Sequence, residues 1–142
     1  ILTKRPERMR GFFLSRTVPK NVWLGTSVED KQHGVPRIDI LRKIKAPILF
    51  LSIEPLLEDL GNLDFSGIHW VIVGGESGPK ARPMSASWVK KIQKQCKTTQ
   101  SEFFFKQWGG WGVDGVKRSK KANGRLLNGK TWNGMPPLGK VL

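Results

Sequence analysis

Two short segments that are almost wholly apolar constrain the fold of this chain most. Residues 47–53 read PILFLSI and residues 69–73 read HWVIV. An apolar residue at nearly every position is typical of strands in a parallel sheet that is covered on both faces. Polar residues follow each segment at once, with Glu54 after the first and Gly74-Gly75-Glu76-Ser77 after the second. The pair predicts an α/β protein whose polar side chains gather at strand ends.

The rest of the chain fits the same architecture. Shorter apolar strands are predicted at 1–3, 22–26 and 102–106, and helical spacing of apolar residues at 5–14, 35–44 and 86–97. Strands that alternate with helices are the signature of parallel βαβ units. Right-handed crossovers place the carboxyl ends of such strands on one side, where ligands bind. We therefore expect residues 1–116 to form a partial, TIM-like β/α barrel.

The composition changes after Gln107, where glycine, tryptophan and basic residues take over. From Lys117 onward the chain has seven basic residues and no acidic one. This predicts a basic, loosely ordered tail over residues 117–142, with a hairpin turn at Asn128-Gly129.

The net charge of +14 indicates affinity for polyanions. Two interpretations stay open: a solvated basic surface, or a partner that contains nucleic acid or nucleotide. If the second holds, the predicted nucleic-acid-binding residues are Lys117, Arg118, Lys120 and Lys121.

The polar residues at the strand ends are the candidate site. Alternation along a strand puts Ser52 and Glu54 on one face of the sheet. The predicted catalytic residues are Glu54, Glu76 and Lys106, and the predicted ligand-binding residues are Ser52, Gly74, Gly75, Ser77, Thr26 and Gln107. A structural alternative is an ion pair of Glu54 with Lys106 or Arg5. The two glycines fit a turn with positive φ or close backbone approach to a ligand.

Other residue types exclude several kinds of site. A single cysteine, Cys96, rules out an internal disulfide, and its setting predicts an inert packing residue. His33 and His69 lack partners at metal-ligand spacing, so we expect no metal site. Trp108 and Trp111 fit a capping role or stacking on a base. No apolar run approaches the ~20 residues that span a membrane, so we expect a soluble protein without membrane contact. The single cysteine fits a reducing, cytoplasmic setting best.

Five strings together resemble a family of phage and bacterial proteins named after gene products thirty-seven and sixty-eight. They are LTKRPERM (2–9), NVWLGTSVED (21–30), APILFLSIEPLLEDL (46–60), HWVIVGGESGPKARPM (69–84) and FFFKQWGGW (103–111). The resemblance implies a β/α barrel related to the radical S-adenosylmethionine enzymes. Gly74-Gly75-Glu76 is similar to the element that holds the methionine amine in those enzymes.

The same resemblance implies a three-cysteine motif in an N-terminal half. This chain has one cysteine and no initiating methionine. We therefore expect a C-terminal fragment with no cofactor of its own, while the full-length protein would use S-adenosylmethionine and an iron–sulfur cluster.

Three hypotheses follow for function. The chain supplies the substrate-side pocket of a radical S-adenosylmethionine-like enzyme, or it is a basic nucleic-acid-binding module without catalytic activity. In the third, it is an inactive half-barrel whose exposed strand edges cause self-association.

Overall fold

A computed structural model of the chain describes residues 1–137. Its strands are Leu2–Thr3 (β1), Trp23–Ser27 (β2), Ile48–Ile53 (β3), Trp70–Gly74 (β4) and Glu102–Gln107 (β5); its helices are Pro6–Phe13 (α1), Pro36–Arg42 (α2), Ala86–Thr99 (α3) and Lys120–Asn123 (α4). The strands form one five-stranded sheet in the order β1 to β5, and every neighbouring pair is parallel. The predicted parallel α/β fold is confirmed. Closure into a barrel is not seen within residues 1–137.

The longest helix, α3, shows how the sequence sets its limits. Ser85 caps its start, because the Ser85 Oγ accepts a hydrogen bond from the Ser87 N–H at 3.3 Å. Gln100 ends it in the left-handed conformation at φ 59°. Val89, Ile92 and Cys96 recur at helical spacing and are buried against the sheet core.

Among residues 1–137, helices cover one face of the sheet and leave the other without a helix. Alternate residues of β3 and β4 are fully buried in the core with α2 and α3: Leu49, Leu51, Ile53, Val71 and Val73. The residues between them are mostly half-buried. We name this second side of the sheet the open face; it carries Trp23, Phe50, Ser52, Trp70, Ile72 and Phe104. The expectation of a sheet covered on both faces is wrong for these residues, because the apolar side chains of the open face pack mainly on each other.

The connection between β3 and β4 contains no helix. Residues 54–69 form an irregular loop that buries Leu56, Leu60, Phe65 and Ile68 in the core. The Gln95 side chain on α3 ties down this loop, since its amide donates to the Gly61 carbonyl at 3.0 Å and accepts from the Leu63 N–H at 3.1 Å. The loop thus provides the packing that a helix provides in a regular βαβ unit.

The basic C-terminal region packs on the sheet as far as it is described. Leu127 is fully buried and Trp132 packs on Phe103 with ring centroids 6.2 Å apart. The Phe105 N–H donates to the Trp132 carbonyl at 3.0 Å and the Gly134 N–H to the Phe103 carbonyl at 2.9 Å, so this segment pairs with the outer edge of β5. A loosely ordered tail is therefore not confirmed for residues 117–137, because buried apolar side chains and strand pairing anchor it.

The predicted hairpin turn is confirmed. Asn128 and Gly129 both have positive φ, and Leu127 and Lys130 face each other across the turn. Residues 138–142 of the predicted tail lie outside the described residues, and a domain division at residue 116 stays a prediction.

Within residues 1–137, no helix is both long enough and apolar enough to cross a membrane.

Candidate functional site at the carboxyl edge of the sheet

The structure brings together three of the predicted site residues around one carboxylate. Glu54 directly follows β3 and is half-buried. Its Oε1 accepts hydrogen bonds from the Lys106 Nζ at 3.1 Å and from the Gln107 Nε2 at 3.2 Å. The ion pair of Glu54 with Lys106 was predicted as a structural role for Glu54. It also brings the side chains of Lys106 and Gln107 together at the Glu54 carboxylate.

A β-bulge in β5 makes this convergence possible. Val73 pairs with Phe105 but Gly74 pairs with Gln107, so Lys106 is an extra residue in the register. A bulge turns two successive side chains toward the same side of a strand pair, which regular alternation forbids. Lys106 and Gln107 therefore both reach Glu54.

The two glycines after β4 leave room for this cluster and for the adjoining loop. A Cβ on Gly74 would lie 3.2 Å from the Glu54 carboxylate and from the Gln107 amide. A Cβ on Gly75 would lie 1.9 Å from the Trp108 carbonyl oxygen. Neither glycine has positive φ; Gly78 and Gly109 nearby do. The Gly-Gly pair is thus explained by close packing and not by a left-handed turn: side chains approach Gly74, and the Trp108 backbone approaches Gly75.

An aromatic row lies on the open face. It is closer to the amino ends of the strands than Glu54 is. We use this name for Trp23, Phe50, Trp70 and Phe104. The Trp70 ring is central, with its centroid 5.8 Å from Trp23, 6.0 Å from Phe50 and 6.0 Å from Phe104. Ser52 and Ile72 lie between the row and Glu54, since Phe50, Ser52 and Glu54 alternate on one face. The open face therefore changes from aromatic to polar toward its carboxyl edge.

Arg125 joins the open face from the C-terminal region. Its guanidinium lies 5.0 Å over the Phe104 ring and donates to the Phe105 carbonyl at 3.3 Å and to the Asn133 side chain. Its Nε is buried and has no hydrogen-bond partner within residues 1–137. Sequence reasoning missed Arg125, because the supposedly loose tail gave no reason to place it on the sheet.

Glu76 has a different setting from Glu54. Its Oε2 accepts from the Arg82 backbone N–H at 2.8 Å and from the Arg82 Nε at 2.9 Å, and its Oε1 accepts from the other guanidinium nitrogen at 2.8 Å. These side-chain and backbone hydrogen bonds from Arg82 lower the pKa of Glu76 to about 2. The predicted catalytic carboxylate thus holds the loop 76–82 in place. The neighbouring predicted residue Ser77 is exposed.

A second polar cluster lies beside Glu76 at the same edge of the sheet. The buried carboxylate of Glu29 pairs with Lys4 and with the Arg37 guanidinium, the latter at 2.9 Å. Burial acts to raise the pKa of Glu29, but the bonds to Lys4 and Arg37 outweigh it and the pKa is lowered. A surface depression of about 540 Å³ joins this cluster to the Glu76–Arg82 pair. Arg37 and Arg82 were missed because neither follows a strand in the sequence.

Three other predicted positions lie apart from the open face. Thr26 is fully buried, and its hydroxyl donates to the Thr3 carbonyl at 2.8 Å. Trp108 is also buried and donates to the Leu126 carbonyl at 2.8 Å, while Trp111 donates to the Ala81 carbonyl at 2.7 Å. Both tryptophans fix the loops that cap the carboxyl edge, in keeping with the capping role.

The four predicted nucleic-acid-binding residues do not act as one free patch. Arg118 pairs with both oxygens of Asp114 at 2.9 and 2.6 Å. Lys117 donates to the Pro79 carbonyl and lies 5.8 Å from the centroid of the Trp111 ring. Lys120 and Lys121 are exposed on α4.

The residues of this chain do not fit an iron–sulfur cluster. Within residues 1–137 no group of three histidine, cysteine or acidic residues is placed to hold a metal ion. Cys96 is buried against the core, and that burial raises the pKa of its thiol to about 12. The thiolate form that ligates iron is therefore strongly disfavoured.

Residues 1–136 match the model of a family described as protein of unknown function (DUF5131). The chain belongs to this family. No curated protein and no solved structure gives a significant match to the DUF5131 chain. The family description states no activity, so the phage naming and the radical S-adenosylmethionine relationship stay predictions.

Proposed function

We propose that the DUF5131 chain forms the ligand-binding wall of an α/β enzyme, with Glu54 as its central recognition group. The observation that carries the proposal is the convergence of Lys106 and Gln107 on Glu54 Oε1 at the carboxyl edge of a parallel sheet. Ligands of parallel α/β folds bind at this edge. Glu54 Oε2 has no hydrogen-bond partner within residues 1–137, so it can accept from a ligand.

The chemistry of the wall defines the ligand class. Glu54 Oε2 takes an amine or hydroxyl donor, and Lys106, about half exposed, offers a positive charge to an anionic group. The half-buried rings of the aromatic row accept a planar ring by stacking. A small compound that carries a planar ring, an amino or hydroxyl group and an anionic group meets all three.

The resemblance to radical S-adenosylmethionine enzymes supplies a finer proposal for the reaction. In it this chain holds the substrate side, because its own residues do not fit the cluster. The test is the iron content of a family member that carries the three-cysteine motif, reconstituted without oxygen. Bound iron with visible sulfur-to-iron absorbance is expected, and an iron-free protein refutes the radical mechanism while leaving ligand binding untouched.

The binding test uses calorimetry with S-adenosylmethionine, adenosine and tryptamine as probes. Wild-type protein is expected to bind at least one of them, and Glu54→Gln to bind it about tenfold more weakly, the loss of roughly one charge-assisted hydrogen bond. Glu7→Gln, an exposed carboxylate on α1, is the matched control and should bind like the wild type. Equal affinities for wild type and Glu54→Gln would sink the proposal.

Nucleic-acid binding without catalysis is the second candidate, favoured by the net charge of +14. It predicts affinity for DNA or RNA that falls steeply with salt. Charge reversal of Lys117, Arg118, Lys120 and Lys121 tests the predicted residues, and unchanged affinity rejects them. Because Lys117 and Arg118 already bind groups of the protein, we expect most of any effect from Lys120 and Lys121.

A further inference from the structure

A basic groove with none of these four residues in its lining lies between α3 and the C-terminal segment 128–134, which includes the hairpin turn. Its volume is about 800 Å³, and its lining includes four lysines, Lys90, Lys94, Lys97 and Lys130. One carboxylate, that of Glu102, also lines it. The groove therefore carries an excess of positive charge.

The lysines of the groove are available to a ligand. All four are exposed, and none forms a salt bridge with a carboxylate of residues 1–137. By contrast, the neighbouring Lys91 on α3 pairs with Asp59 at 3.3 Å. An anion-binding site needs lysines that are not already paired with carboxylates, and the four groove lysines meet this requirement.

Helix α3 spaces three of the lysines along one face. Lys90, Lys94 and Lys97 occupy positions i, i+4 and i+7, which lie on the same side of an α-helix. At 1.5 Å per residue they extend over about 10 Å. A regularly charged polymer fits such a row better than a single small anion does.

The opposite wall adds an aromatic ring and amide groups. The Trp132 ring is half-buried beside Phe103, and its indole N–H already donates to the Leu127 carbonyl at 2.9 Å. The Lys130 ammonium lies 4.3 Å over this ring. The side-chain amides of Gln93 and Asn128 line the same groove. Basic residues with an aromatic platform are the combination that binds single-stranded nucleic acids.

We propose that this groove binds a single strand of nucleic acid, with Lys90, Lys94 and Lys97 on successive phosphates. A base stacks on Trp132 in place of the Lys130 ammonium, which moves to a phosphate.

The site is separate from the cluster around Glu54, since no residue of the groove is hydrogen-bonded to Glu54 or Lys106. The groove does adjoin the aromatic row, because the Gly134 carbonyl in its lining accepts from the Trp70 indole N–H at 2.7 Å.

The test is fluorescence anisotropy of a labelled single-stranded oligonucleotide, measured over a range of salt concentrations. Replacing Lys90, Lys94 and Lys97 by Gln should weaken binding about a hundredfold near 0.1 M salt and lower the salt slope by about 2, since each phosphate contact in a single strand contributes about 0.7. The same three positions changed to Arg should keep most of the affinity, because the charges remain.

The matched control replaces Lys20, Lys43 and Lys45 by Gln, which removes the same charge from exposed positions outside the groove. Affinity within about threefold of wild type is expected for this control, because it leaves the groove unchanged. Equal losses in the two triple variants would show that net charge alone binds the strand, and no binding by wild type would also overturn the proposal. Tighter binding to a duplex of the same sequence would reject a single-strand site.

Discussion

At the scale of single residues, Gly75 shows how closely two loops of the site meet. Its N–H donates to the Gln107 carbonyl at 3.0 Å, and a Cβ would lie 1.9 Å from the Trp108 oxygen. We expect Gly75→Ala to lower the free energy of unfolding by about 3 kcal/mol, since backbone cannot move aside as a side chain can. Denaturant unfolding measures this.

Gly115→Ala is the control for that prediction. Gly115 has φ 72°, with open space where a Cβ would be, so only backbone strain opposes the change. It should cost about 1 kcal/mol. If the two substitutions cost the same, close packing is not the reason for glycine at position 75.

The Glu76–Arg82 pair predicts a pH dependence of stability. The hydrogen bonds from Arg82 lower the pKa of Glu76 from its usual 4.5 to about 2, so folding favours the ionised form. The pair therefore stabilises the protein fully above about pH 4.5, and the contribution is lost as the pH falls toward 2. Glu76→Gln should be less stable than wild type at neutral pH, with a difference that shrinks below pH 4.5.

Urea unfolding between neutral and acidic pH checks this expectation. Asp114, whose hydrogen bonds with Arg118 also lower its pKa to about 2, is present in both proteins and cancels in the comparison. Arg82→Gln should remove most of the same pH dependence and keep the part that comes from the backbone N–H of residue 82, which still donates to Glu76. A stability difference between wild type and Glu76→Gln that does not vary with pH contradicts the assignment.

At the scale of elements, the bulge of β5 couples Glu54 to Lys106 without adding much stability. The Lys106 side chain is 51% exposed and that of Glu54 is 23% exposed. An exposed ion pair of this kind contributes about 1 kcal/mol or less. A double-mutant cycle with Glu54→Gln and Lys106→Met should therefore give a small coupling energy in unfolding experiments. A coupling of about 3 kcal/mol would instead make the pair a structural element.

Many of the strands, helices and turns were predictable from the sequence. Apolar strands, the helix that begins at residue 86 and the Asn128-Gly129 turn are local signals, and each lies where the sequence indicates it. The β3–β4 loop was harder, because its buried residues do not follow one helical or strand period along the loop: Leu56, Leu60, Phe65 and Ile68. The bulge at Lys106 was not predictable, since a one-residue shift of register depends on the neighbouring strand.

The residues that pair with the acidic side chains are also determined by tertiary structure, as the bulge is. Glu54 was singled out correctly as a residue with charged neighbours, because a carboxylate after so apolar a strand needs compensation. Arg82 and Arg37 reach Glu76 and Glu29 from a loop and a helix, so no spacing in the sequence indicates them.

At the scale of the whole molecule, the two edges of the sheet differ. The segment 132–134 pairs with the outer edge of β5, while no segment of residues 1–137 pairs with the outer edge of β1. Leu2, at that edge, is 51% exposed. If self-association occurs through strand edges, it should occur here.

Sedimentation velocity tests this prediction with Leu2→Lys, which places a charge at the free edge. The wild type should form dimers or larger species that the variant does not form. Leu126→Lys, which charges an exposed apolar residue elsewhere, is the control and should behave like the wild type. A monomeric wild type refutes self-association.

NMR titration can show for individual residues whether ligands bind on the open face beside Glu54. The indole N–H signals of Trp23 and Trp70 report on the aromatic row, and those of Trp111 and Trp132 report on surfaces elsewhere. With adenosine, S-adenosylmethionine or tryptamine, we predict shifts at Trp23 and Trp70 that are weakened in Glu54→Gln. Shifts confined to Trp111 and Trp132, or no shifts with any of these probes, would rule out binding on the open face.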